Sequence, residues 1–88
     1  MSSKRHLATI TILVKDRQMH AQDVQKTLTE NGHIILARLG VNPQRACIKN
    51  CTGLITIVVD GTAKQINDLT KKLNSLYGIV AKSCVVTE

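Results

Sequence analysis

The chain has 88 residues, 43% of them hydrophobic, with 12 basic and 6 acidic side chains, a formal charge of +6 and three cysteines. That length makes residues 1–88 one domain, with a core over about residues 6–86, and a chain this small often needs metal, disulfides or self-association to supplement its core. Residues 1–6 lack the apolar stretch of a signal peptide, and no run is long enough for a membrane span. The odd cysteine count fits a reduced cytoplasmic protein better than a secreted disulfide scaffold.

Tyr77 is the only aromatic residue, so the core must be built from Ile, Leu, Val and Ala. The basic residues are spread along the chain with no block of like charge, which reads as a solvated surface rather than a disordered basic tail.

Residues 7–15 alternate as a β-branched strand, with Ala8, Ile10, Ile12 and Val14 on one side and Leu7, Thr9, Thr11 and Leu13 on the other. Asp16 stands where a helix N-cap belongs, and its carboxylate is expected to accept from free backbone N–H groups. Ala21, Val24 and Leu28 follow at helical spacing, and Asn31-Gly32 is a stop signal. Residues 34–39 form a second apolar run, ending at Gly40. Val41 to Thr52 is the one sizeable irregular stretch. Leu54 to Val59 reads as a third strand and Asp60-Gly61 as a turn. Thr62 with Gln65 predicts a capping box. The helix that follows carries Ile66, Leu69, Leu73 and Leu76 on one face. Gly78 is suited to a left-handed stop, and Ile79 to Val86 is the last strand.

The halves repeat. Ile10-Thr11-Ile12-Leu13-Val14 then Asp16 matches Ile55-Thr56-Ile57-Val58-Val59 then Asp60. Two strand–helix–strand units predict an α+β fold, the ferredoxin-like βαββαβ two-layer sandwich. It has a four-stranded antiparallel sheet, first and third strands central, and two helices on one face. The other face then carries Leu7, Thr9, Thr11, Leu13, Leu54, Thr56 and Val58. Aliphatics mixed with threonine in such a patch suit a subunit interface, so a homodimer or homotetramer is expected. The repeat also equates Arg38 with Lys82 and predicts both on one face, at opposite edges.

Chemical motifs are few. Cys47 and Cys51, with Cys84 and three histidines elsewhere, supply one close pair where structural zinc wants two, so no metal site and no cofactor are expected. Two exposed loop thiols are the simpler reading, and a cysteine-based metal or redox sensor at Cys47 and Cys51 is the alternative function. No serine or cysteine sits with a base, and the acids are absorbed by caps, turns and exposed helix positions, so no catalytic residue and no enzyme activity are expected. RNA-binding domains of this topology stack bases on central-strand aromatics. Gly53-Leu54-Ile55-Thr56-Ile57-Val58 has none, so direct nucleic-acid binding is not expected.

Val14-Lys15-Asp16-Arg17, then Gly32-His33-Ile34-Ile35-Leu36-Ala37-Arg38-Leu39-Gly40-Val41, then Ile55-Thr56-Ile57-Val58-Val59-Asp60-Gly61 and Leu76-Tyr77-Gly78 together resemble the iron-only hydrogenase system regulators. These are small ACT-like proteins related in fold to the C-terminal domain of the nickel-responsive repressor. The resemblance implies the ferredoxin-like fold, assembly into oligomers, and a regulatory role close to hydrogenase maturation. Amino-acid-binding ACT domains follow Asp-Arg with Pro-Gly, where this chain has Gln18-Met19. His33 alone does not reproduce the nickel sensor's site, and the repressor's DNA-binding arm has no counterpart. The expected role is a non-catalytic regulatory or small-ligand-sensing module with an unidentified small-molecule effector or protein partner. The expected ligand site is Asp16, Arg17 and Gln18 at the first strand–helix junction, approached by Arg38 and Gly40 of a neighbouring subunit. Helix N-terminal amides there would favour an anionic group.

Overall fold

The computed structural model describes residues 4–43 and 51–87. Six main elements follow in order: strand β1 (Arg5–Val14), helix α1 (Arg17–Glu30), strand β2 (Ile35–Val41), strand β3 (Gly53–Thr62), helix α2 (Ala63–Asn74) and strand β4 (Ile79–Val85). A short 3-10 turn over Gly32–Ile34 joins α1 to β2. The sheet runs β2-β3-β1-β4, with every pairing antiparallel. This is the ferredoxin-like sandwich, with both halves contributing a central strand and an edge strand.

Alternation sets the two faces. Ala8, Ile10, Ile12 and Val14 of β1 and Ile57 and Val59 of β3 are buried under the helices. Val24 and Leu28 of α1 and Ile66, Leu69 and Leu73 of α2 close the core from above. The branched aliphatics interdigitate without any aromatic residue, as the composition required.

The α2 start follows its sequence signature. Gln65 donates its backbone N–H to Thr62 Oγ1 at 3.2 Å, and the Thr62 N–H donates to Gln65 Oε1 at 2.9 Å. Gly61 leaves room for that glutamine, since a Cβ there would stand 3.1 Å from its Oε1. At the far end, Gly78 is left-handed with φ of +76°. The end of α2 also seals the sheet beside it. Asn74 Nδ2 donates to the Ala81 carbonyl at 2.9 Å, and the Ala81 N–H donates to Asn74 Oδ1 at 2.7 Å. The amide thus occupies backbone groups on the outer edge of β4, where a further strand would otherwise pair.

Four sequence expectations are corrected. Asp16 is the α1 N-cap residue, but it is left-handed, with φ of 50°, and its side chain makes no cap bond. Its carbonyl instead accepts from the Met19 and His20 N–H groups at 3.0 and 3.2 Å. Asp60-Gly61 is strand rather than turn. β1 begins two residues earlier than its alternation suggested, so Leu7 and His6 pair with Asp60 and Gly61, and Arg5 Nε donates to Asp60 Oδ1 at 3.1 Å.

Arg38 and Lys82 lie on opposite faces. Ile35 pairs with Val59 but Ala37 with Val58, so Leu36 is an inserted residue, a β-bulge. The bulge shifts the register by one and rotates every later side chain of β2 to the other face. Arg38 therefore pairs with Ile57 on the helix side, while Lys82 pairs with Thr11 on the open side.

The fourth correction concerns the cysteines. Cys51 is fully buried and disulfide-bonded, not an exposed thiol. Cys84 is free and exposed. Cys47 lies outside the described residues.

Candidate functional site

The β1–α1 junction is built around Arg17. Its backbone N–H donates to the Cys51 carbonyl at 2.7 Å, and its Nη1 donates to the Thr52 carbonyl at 3.2 Å. The arginine stem lies over Gly53, where a Cβ would make ordinary contact with Arg17 Cβ at 3.5 Å. The segment entering β3 and the first residue of α1 are thereby tied together.

Arg17 and Gly40 line one hollow of about 300 Å³, together with Ala21, Gln25, Val41 and Asn42. These two expected site residues meet within a single chain, because α1 runs antiparallel to the adjacent β2 and its N-terminus lies over the end of that strand. Gln25 and Asn42 were missed. The spacing Arg17, Ala21, Gln25 along one helical stripe would have found the first. Asn42 had no signal beyond following β2.

The other expected residues lie elsewhere. Asp16 is half-buried and lines a different hollow, of about 420 Å³, with Lys15, His20, Tyr77 and Gly78. The His20 and Tyr77 rings meet there with centroids 5.3 Å apart and planes tilted by 60°. Gly78 is needed for that approach, because a Cβ on it would come within 2.8 Å of the imidazole Cδ2. Gln18 is exposed and lines neither hollow. Arg38 lies further along the seam between α1 and β2, in a hollow of about 400 Å³ with Leu28, Thr29 and Ile35.

The open face has the composition read from the sequence. The pairings align Val41, Leu54, Leu13 and Val80 in one row across the sheet, then Leu39, Thr56, Thr11 and Lys82, then Ala37, Val58, Thr9 and Cys84. Lys82 is the one charge in these three rows. The Arg5–Asp60 ion pair stands at one end of the face, beside Leu7. No group of three or more metal-ligating side chains converges among the described residues. No helix among them is long and apolar enough to cross a membrane.

Residues 6–83 match the family described as TM1266-like, iron-only hydrogenase system regulator. The chain belongs to this family. Among solved structures, the chain superposes on the uncharacterized protein TM1266 from Thermotoga maritima with a TM-score of 0.83. The two are 25% identical over 96% of this chain and 100% of that one. A dimeric ferredoxin-like protein from an uncultured marine organism is 13% identical over 97% and 98% of the two chains, with a TM-score of 0.54. CPII, a nitrogen regulatory PII-like protein from Thiomonas intermedia, is 12% identical over 98% and 99%, with a TM-score of 0.52. The last two share the fold with this chain. No curated protein sequence is significantly similar to it.

Proposed function

We propose that this chain is a non-catalytic, self-associating regulatory module that senses a small anionic effector through the Arg17–Gly40 hollow. The observation that carries this is the meeting of an arginine, a helix N-terminus and an unencumbered glycine strand end around one cavity of about 300 Å³. The guanidinium favours negative charge, and the glycine admits a ligand close to the backbone.

Self-association would use the open sheet face of Leu7, Thr9, Thr11, Leu13, Leu54, Thr56 and Val58. That face would otherwise leave Leu7 and Val58 exposed at 44% and 38% in a chain with a small core. The regulated process is read as that of the family, the iron-only hydrogenase system, with the cytoplasm as its place.

Native mass spectrometry of freshly purified protein tests this in one measurement. The expected result is an even-numbered oligomer carrying a small anionic adduct that Arg17→Ala loses. A strictly monomeric, adduct-free species at micromolar concentration would refute it.

The buried disulfide of Cys51 favours a second reading, a redox sensor, because the Cys51 carbonyl accepts from the first N–H of α1. Reduction would then change the Arg17 environment. An unchanged amide spectrum around Arg17 after reduction would remove this idea.

A further inference from the structure

The two edges of the sheet are unequal. At β4 the Asn74 amide already occupies the outward N–H and carbonyl of Ala81. At β2 only β3 pairs with the strand among the described residues, and every residue from Leu36 to Val41 is exposed. An unpaired strand edge is a template for another strand. Proteins usually blunt such edges, and β2 carries a single charged residue, Arg38, to do so.

The two sides of this edge also differ, because of the bulge at Leu36. On the helix side, two hollows succeed one another along the seam with α1, one containing Arg17 and the other Arg38. Neither is lined by an acid. On the open side, Ala37, Leu39, Thr56 and Val58 line a mainly apolar hollow of about 230 Å³, which Arg38 also borders from the edge. The sequence accentuates the contrast. From Asn31 to Val59 there is no Asp or Glu, against Arg38, Arg45 and Lys49.

A strand laid beside β2 would point alternate side chains to these two sides. We infer that β2 is a docking edge for an extended segment of another protein in which acidic and aliphatic residues alternate. The acids face the arginine-lined seam and the aliphatics face Leu39 and Val58. The seven residues of β2 span about 23 Å, room for a segment of six to eight residues. A second copy of this chain fits poorly. Its own β2 would bring Arg38 against Arg38, and its β4 offers no acid on either side. The inference goes beyond the effector reading: the segment would pass over the Arg17–Gly40 hollow, but its test is placed at Arg38, which lies outside that hollow.

The test is an NMR titration of the isotope-labelled full chain with the peptide acetyl-(Glu-Val)4-amide. Two controls are acetyl-(Lys-Val)4-amide and the Glu-Val peptide with N-methylated valines, which removes backbone donors while keeping the side chains. The expected result is amide shifts confined to residues 36–42 and the facing stripe of α1. Arg38→Glu should weaken binding at least about tenfold, since it places like charges together, with the spectrum of the fold otherwise retained. The Lys-Val and N-methylated peptides should not bind. An absence of shifts at millimolar peptide, shifts centred on the open face or α2, or equal binding by any control would overturn the inference.

Discussion

The Asn74 clasp on β4 is testable in isolation. Asn74→Ala removes both the donor to the Ala81 carbonyl and the acceptor for its N–H, whose bonds measure 2.9 and 2.7 Å. Ala81 is buried, with 3% of its surface exposed, so water replaces these bonds only in part. Each intramolecular hydrogen bond contributes about 0.5–1.5 kcal/mol net, and a buried group left unpaired costs about 1–3 kcal/mol. The substitution should therefore cost about 2 kcal/mol. For a domain of this size each kcal/mol lowers Tm by roughly 4–8 °C. Asn67→Ala in the same helix is the control, because Asn67 is exposed and carries the same change in helix propensity. Urea unfolding of both variants, with hydrogen exchange at the Ala81 amide, reads the difference. If Asn74→Ala matches Asn67→Ala in midpoint, and the Ala81 amide exchanges no faster than in the parent, the clasp does not stabilise this edge.

Ile57→Ala in the centre of the core should destabilise by about 2–5 kcal/mol, enough to unfold much of the population at 37 °C, as read by circular dichroism. Gly78→Ala combines a left-handed backbone with a Cβ 2.8 Å from the His20 ring, so thermal melting should show a loss above the roughly 1 kcal/mol expected of backbone strain alone. Replacing Thr11 by Lys on the open face should leave the fold intact and shift light-scattering mass to the monomer; an unchanged mass would clear that face of an interface role. The Lys64 ammonium donates to Asp68 at 2.8 Å, and this bond holds the Asp68 carboxyl below its ordinary range. A depressed carboxylate pKa stabilises above the unfolded value and loses that effect as pH falls through the folded one. Both groups are fully solvated, so Asp68→Asn should leave the urea midpoint unchanged at pH 7; a clear drop would show the pair is not merely a surface contact.

The βαββαβ order was legible because each signal is local. Alternation in β1 and β3, the apolar stripe Ile66-Leu69-Leu73, the Thr62–Gln65 box and the left-handed Gly78 depend on a few neighbouring residues, and the structure has all of them. The central placement of β1 and β3 followed from crossover handedness. Asp60-Gly61 misled because those residues are common in turns, while here the partner strand starts two residues earlier and holds them extended. Asp16 misled in a related way. Its position was right, but a left-handed backbone turned its side chain away from the helix it begins.

What only the tertiary structure decided was how the halves differ. Repeated segments predict repeated faces, so Arg38 and Lys82 were expected together. One inserted residue at Leu36 overrides this, because strand side chains have a period of two and a single bulge exchanges the faces. The same non-local packing divides the expected ligand residues, leaving Arg17 with Gly40 and Asp16 with His20 and Tyr77. It also leaves one sheet edge clasped by Asn74 and the other without a second strand among the described residues. Periodicity within a segment determines which elements form and how they are ordered. Which side chains finally meet depends on register between segments far apart in the chain, and no local pattern encodes that.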